Sequence, residues 1–211
     1  MADQSILQPG NLLMVQERER LLAALLREHT QGRGLDGLRA FEAGCSTGYN
    51  LRLFVQWGAR PENIAGIDLD PAAADYCRAH APEIRVHSGS AAAIDEPDES
   101  FDVVLAFTLY SSVPDEHVAN SISRELYRIT RRRGLILVYD MRRKNPANRS
   151  VHPIEHTDIR RWFPSCPVEA TTLTLAPPLA RRIGRWAQWL YGPLAAIPPL
   201  RTHAFWTIRR P

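Results

Sequence analysis

Near the start of the chain the apolar positions recur at helical spacing: Leu12, Leu13 and Val15, then Leu21, Leu22, Leu25 and Leu26, set among Glu and Arg. That pattern predicts a helix over about 11–29, ended by the stretch from Gly32 to Gly37. Short apolar runs then alternate with helical ones. Strands are predicted at about 39–43, 63–69, 84–88, 101–107 and 134–140, and helices at about 47–57, 71–80 and 115–131. The last helix carries Val118, Ile122, Leu126 and Ile129 on one side. A polar, Arg-rich loop follows, then a short helix opening near Thr157, whose hydroxyl suits a cap. Two more strands, about 168–175 and 203–209, flank an apolar, Arg-rich insertion at 176–202.

Such alternation marks βαβ units. Seven strands closing on a hairpin-like pair predict a single α/β domain over 1–211, with a doubly wound sheet, helices on both faces, and residues 1–37 as a leading helix and linker. Hydrophobic residues at 45% and charged ones at 23% are ordinary for a globular chain and exclude a disordered one. No apolar run approaches the ~20 residues that span a bilayer. The N-terminus, with Asp3, lacks the layout of a secretory signal. Cys45, Cys77 and Cys166 have neither disulfide nor zinc spacing, so they read as thiols of a cytoplasmic protein. No His, Asp or Glu cluster has metal spacing, and no metal is expected. Charge is uneven: 9 basic and 18 acidic side chains precede residue 121, against 17 basic and 5 acidic from there on.

The segment richest in chemistry joins the first strand to the next helix: Phe41-Glu42-Ala43-Gly44-Cys45-Ser46-Thr47-Gly48-Tyr49-Asn50. Glycines at 44 and 48 permit a tight turn and close backbone approach to a ligand. A dinucleotide fingerprint would also want glycine at 46 and 49, where Ser46 and Tyr49 stand, which counts against NAD. Ile67-Asp68-Leu69 ends the second strand, and a carboxylate there can accept two hydrogen bonds from a ribose diol.

Together with Ser88-Gly89-Ser90-Ala91, Ser100-Phe101-Asp102-Val103-Val104-Leu105 and Glu125-Leu126-Tyr127-Arg128-Ile129 before Gly134, this segment resembles the motif series of class I S-adenosylmethionine (SAM)-dependent methyltransferases over roughly 38–142. The resemblance implies a Rossmann-like, mostly parallel seven-stranded sheet whose last strand is antiparallel. It also implies SAM as cofactor. Glu42 would orient the methionine ammonium, and Ala43, Gly44, Cys45, Ser46 and Gly48 would line the cofactor. Asp68 would hold the ribose, Leu69 would pack on adenine, and Ser90, Ala91 and Phe107 would complete the pocket. Ser46 replaces the family's central glycine, and a negative φ is expected of it. Ser90 replaces the usual acid.

In such a sheet the reaction lies beyond the C-terminal strand ends. Tyr110, His152, His156 and His203 are candidate bases or hydrogen-bond partners there. Arg142, Arg143, Lys144 and Arg149, after the fifth strand, read as an electrostatic collar for an anionic acceptor. Arg201 and Tyr110 are further acceptor-side candidates. Phe107-Thr108-Leu109-Tyr110 replaces the Asn/Asp-Pro-Pro-aromatic loop of enzymes that methylate nucleic-acid bases, so a nucleic-acid partner is not expected. Tyr139-Asp140-Met141-Arg142, Asn145-Pro146, Thr174 to Leu179 and Leu200 to His203 are similar to methyltransferases of bacterial surface-glycan biosynthesis, which implies O-methylation of a sugar, nucleotide- or lipid-linked. N-methylation, protein methylation and a non-catalytic SAM-binding adaptor are the alternatives. On a helical wheel, Leu179, Ile183, Trp186, Ala187 and Leu190 share one face. That face is expected to wall the acceptor pocket, and Arg181, Arg182, Arg185 and Trp189 to meet an acidic partner or an anionic membrane surface on the inner face.

Overall fold

The apolar runs become strands. In the computed structural model, which describes residues 5–143 and 151–211, these are β1 (Ala40–Ala43), β2 (Ile64–Asp68), β3 (Arg85–Ser88), β4 (Phe101–Phe107), β5 (Thr130–Met141), β6 (Val168–Leu175) and β7 (Arg201–Arg209). They form a seven-stranded sheet in the order β3-β2-β1-β4-β5-β7-β6. β1 pairs in parallel with β2 and β4, β2 with β3, and β4 with β5. All four β1 residues are buried, as a parallel strand covered on both faces requires. β7 runs the other way. The Arg210 amide donates to the Gly134 carbonyl at 3.0 Å and the Arg133 amide to the Arg210 carbonyl at 2.9 Å, so the end of β7 meets the start of β5. The mostly parallel sheet with an antiparallel last strand is therefore as the sequence implied. Strand order reverses between β1 and β4, and ligands of open α/β sheets bind at such a switch point.

Two compact units divide the chain. The larger, 34–170 with 206–211, carries α2 (Tyr49–Gln56), α3 (Pro71–His80), α4 (Glu116–Ile129) and α5 (His156–Trp162). α4 buries Ala119, Ile122, Ser123, Leu126 and Ile129, while Val118 stays exposed. Asp115 caps α4 by accepting from the amides of His117 and Val118. α5 starts before Thr157: Glu155 is the N-cap and its amide donates to Asp158 at 2.9 Å. The carboxylate pair thus takes the capping role expected of the threonine.

The other unit, 1–33 with 171–205, carries α1 (Pro9–His29), α6 (Pro177–Arg182) and α7 (Ala187–Ala195). The insertion is two helices, because Gly184 turns left-handed at φ +48° and a short 3-10 turn follows. The single apolar face expected of it is consequently broken. Ala187 is buried, but Leu190 is exposed and Trp186 is 56% exposed. The side chains that do bury, Ala180, Tyr191 and Ala195, cluster with Leu175, and Leu13 and Met14 of α1 pack against them. A side chain at Gly10 would overlap the Ala180 backbone, so α1 and α6 touch main chain to main chain. Leu179 and Ile183, on the expected apolar face, also pack against this cluster.

Candidate active site

The loop after β1 is pinned to the end of β2, where the Ile67 carbonyl accepts from the amides of both Gly44 (2.8 Å) and Cys45 (3.0 Å). Three loop residues are left-handed: Gly44 at φ +71°, Ser46 at +47° and Gly48 at +77°. A side chain at Gly44 would press on Leu109 Cδ1 at 3.0 Å, and one at Gly48 would overlap Cys77 Sγ. Ser46 departs from the negative φ expected of it, and its amide uses that turn to reach Asp68 Oδ2 at 2.6 Å. The other carboxylate oxygen, Oδ1, accepts the Asp70 amide at 2.9 Å. The fold therefore fixes the Asp68 carboxylate at the sheet edge by one amide per oxygen. Each oxygen keeps a second lone pair.

Beside it Leu69 is 75% exposed, an apolar side chain with no cover in the fold. Glu42 is buried at the end of β1, and its Oε1 accepts from the Asn50 side chain of α2 at 2.6 Å. The thiol of Cys45 is pushed well above its usual pKa, by burial first and by Glu42 and Asp68 next, so it stays protonated. Ser90 shapes the turn after β3, its hydroxyl accepting the Ala92 amide at 3.2 Å, and Ala91 is buried behind it. Phe107 closes β4, buried edge-on against Tyr139 at 5.7 Å.

On the acceptor side the expectations divide. Tyr110 is fully buried, its hydroxyl paired with Ser123 Oγ at 2.8 Å and its ring stacked on Trp162 at 4.5 Å. Burial pushes its pKa up. A hydroxyl sealed in this way cannot accept a substrate proton, so Tyr110 is not placed for the acceptor-side role expected of it. His203 is also buried, and burial together with nearby Arg18 lowers its pKa to about 4. Its Nδ1 lies 3.0 Å from Thr202 Oγ1.

His152 and His156 keep exposed side chains. The amide of His152 donates to the Ser111 carbonyl at 2.9 Å, and that of Ile154 to Met141 at 2.7 Å, so this segment lies along the ends of β4 and β5. Arg142 is half-buried and Arg143 exposed there. Lys144, Asn145, Pro146 and Arg149 lie outside the described residues. Arg201 is committed internally: Nε donates to the Ala195 carbonyl at 2.6 Å and Nη1 to Thr172 at 3.1 Å. It also lines a cavity of about 440 Å³ within the 1–33 and 171–205 unit, with Glu17, Arg20, Gln188 and Tyr191.

Sequence reasoning missed Asp140. It is buried at the end of β5 and accepts from the amides of Ser111 (2.9 Å) and Met141 (2.8 Å). Burial raises its pKa against the lowering effect of those bonds. A lone acid closing the apolar run Leu135 to Tyr139 was the available signal. Asn50, the partner of Glu42, had none.

Residues 40–134 match a family described as a methyltransferase domain. A probable S-adenosylmethionine-dependent methyltransferase of Mycolicibacterium smegmatis is 33% identical over 102 residues, covering 48% of this chain and 37% of that protein. A malonyl-[acyl-carrier protein] O-methyltransferase of Serratia marcescens is 30% identical over 101 residues, with the same 48% and 37% coverage. The chain thus spans little more than a third of these curated relatives. In structure, a putative sarcosine dimethylglycine methyltransferase from Galdieria sulphuraria aligns with a TM-score of 0.68 at 15% identity, over 92% of this chain and 86% of that one. The fold is that of SAM-dependent methyltransferases.

A left-handed loop free of side chains at 44 and 48, a fixed carboxylate and an uncovered leucine beside it are complementary to a nucleoside's diol and base. Among the described residues, no helix is long and apolar enough to cross a membrane.

Proposed function

We propose that this chain is a SAM-dependent methyltransferase acting on a small, anionic acceptor, with an oxygen of a sugar or of a similar lipid-linked metabolite as the target. One observation carries the reading: the Asp68 carboxylate fixed beside exposed Leu69, across the left-handed loop of Gly44, Ser46 and Gly48. Bound SAM supplies a sulfonium methyl open to in-line attack. Asp68 accepts from the ribose hydroxyls and Leu69 covers the adenine. Ser90, Ala91 and Phe107 bound the base side, and Glu42 faces the ammonium end through water. Ala43, Cys45 and the loop backbone bring the chain close enough to exclude bulk solvent.

Methyl transfer depends chiefly on alignment of the nucleophile. The exposed imidazoles of His152 and His156 are the groups left to receive a proton from an acceptor hydroxyl. Arg142 and Arg143 attract its negative charge. The O-methyltransferase name of the Serratia relative favours oxygen as the target. Peripheral contact with an anionic lipid surface through 179–191 accompanies this reading, because Trp186 and Trp189 are 56% and 73% exposed next to exposed Arg182 and Arg185. Calorimetry tests the core of the proposal: SAM and S-adenosylhomocysteine should bind and NAD should not. NAD binding with no SAM binding would overturn it.

A further inference from the structure

A second cavity, of about 300 Å³, opens in the larger unit between α4 and the turn that leads from α5 into β6. Tyr127, Trp162 and Phe163 give it three aromatic walls, beside Pro164 and Cys166. Arg124 stands exposed at its edge and engages no hydrogen bond or ion pair among the described residues. One turn on, Arg128 is by contrast fully engaged by Glu125 and Asp98. No acidic residue lines the cavity. Behind the Tyr127 ring, 4.4 Å from its centroid, lies the Arg210 guanidinium, itself paired with Glu99, so Arg124 is the cation left to meet a ligand's charge. An aromatic slot with an available guanidinium and no carboxylate is complementary to a flat ring bearing an anionic group. A volume at the small end of ligand pockets restricts it to one or two fused rings.

The same walls hold the loop at the reaction edge. Ser123 lines the cavity and bonds the Tyr110 hydroxyl at 2.8 Å, and Trp162 lines it and stacks on the Tyr110 ring at 4.5 Å. Tyr110 begins the short turn Tyr110–Ser112. Within that turn, the Ser111 amide is held by Asp140 and the Ser111 carbonyl receives the His152 amide. A ligand pressed on Trp162 and Ser123 is therefore one side chain away from the turn that places the His152 segment.

We propose that this cavity binds a small planar aromatic carboxylate, and that its occupancy stiffens the 110–112 turn and the His152 segment docked on it. The cavity is separate from the cofactor loop, so the proposal stands or falls independently of SAM binding. Indole-3-carboxylate is the probe, titrated into the full chain by calorimetry with S-adenosylhomocysteine in excess to block any nucleoside site. The expected result is saturable binding with a Kd below about 1 mM. Affinity should fall by about tenfold for Arg124→Gln and for the neutral carboxamide analogue. Ser165→Trp, at an exposed lining position, should fill the slot and abolish binding. Under saturation, amide exchange at Ser111 and His152 should slow severalfold. No saturable binding up to about 5 mM, or equal affinity in wild type and both variants, would overturn the site. Binding that leaves exchange at Ser111 and His152 unchanged would overturn the coupling.

Discussion

The amide of Ser46 donates to Asp68 Oδ2 at 2.6 Å from a left-handed backbone, φ +47°. A non-glycine residue held there carries a cost of about 1–2 kcal/mol. The hydrogen bond, not the serine side chain, explains why the conformation persists. Ser46→Gly should therefore keep the bond and relieve the strain. Part of the gain is offset by the freer unfolded chain, about 0.4–1 kcal/mol. The expected net effect is a stabilisation of about 0.5–1 kcal/mol, or a Tm rise of about 1–4 °C for a chain of this size. SAM affinity should stay within about twofold of wild type. A lower Tm, or a large loss of SAM affinity, would mean that the hydroxyl itself contributes.

Asp68→Ala removes the ribose acceptor and the anchor of the Ser46 and Asp70 amides together. SAM binding should weaken by about 1.5–3 kcal/mol, the range for hydrogen bonds to a charged group. Because two backbone amides lose their partner, a thermal melt must accompany the calorimetry. A folded Asp68→Ala protein with unchanged SAM affinity would remove Asp68 from the site.

The strands were legible because buried parallel strands are continuous apolar runs, and Val103 to Phe107 reads as one. The cofactor loop was legible from its glycines and from Asp68 at a strand end. The handedness of Ser46 was not, since it depends on a carboxylate 22 residues away. Tyr110 looked like an acceptor-side residue because it follows β4. Its burial is decided by Ser123 and Trp162, which no local pattern ties to it. The insertion was misjudged at one residue: a wheel drawn through Gly184 assumes a helix that the left-handed turn there interrupts.

If Arg142 and Arg143 attract an anionic acceptor, the double change to Gln should raise KM for that acceptor and leave SAM affinity intact. Both arginines are at least partly exposed, so salt should imitate the substitution, and KM should climb as the Debye length falls to about 8 Å at physiological ionic strength. A KM insensitive to both salt and substitution would dismiss the collar.

The insertion's exposed face is narrower than the sequence indicated, because Arg181 Nε donates to Asn11 at 3.0 Å. Arg182, Arg185, Trp186 and Trp189 remain for a lipid surface, with the Arg185 guanidinium 5.2 Å from the Trp186 ring centroid. An Arg182→Gln/Arg185→Gln/Trp189→Ser protein should lose co-sedimentation with vesicles containing anionic lipid. Equally negligible sedimentation of wild type and variant would end the membrane contact.

The last prediction concerns pH. His203 is buried, and its pKa falls from 6.5 to about 4, through burial first and Arg18 second. The unfolded chain therefore binds a proton at this histidine between pH 6.5 and about 4 that the folded chain refuses. The contribution to stability is fully present above pH 6.5 and is lost progressively as pH falls to about 4. A shift of that size corresponds to about 3–4 kcal/mol at most, at 1.36 kcal/mol per unit. Asp140 acts with the opposite sign, since its raised pKa favours the folded state at low pH and loses that effect as pH rises. The wild-type curve mixes the two, so the measurement that isolates His203 is a comparison of urea unfolding for wild type and His203→Asn across pH 4–7. The variant should be less stable at pH 7, because the packing and the Thr202 contact are altered, yet its stability should decline less steeply below pH 6.5. Parallel curves for the two proteins would show that His203 takes up its proton as readily folded as unfolded, and would return it to the set of groups able to exchange protons near neutrality.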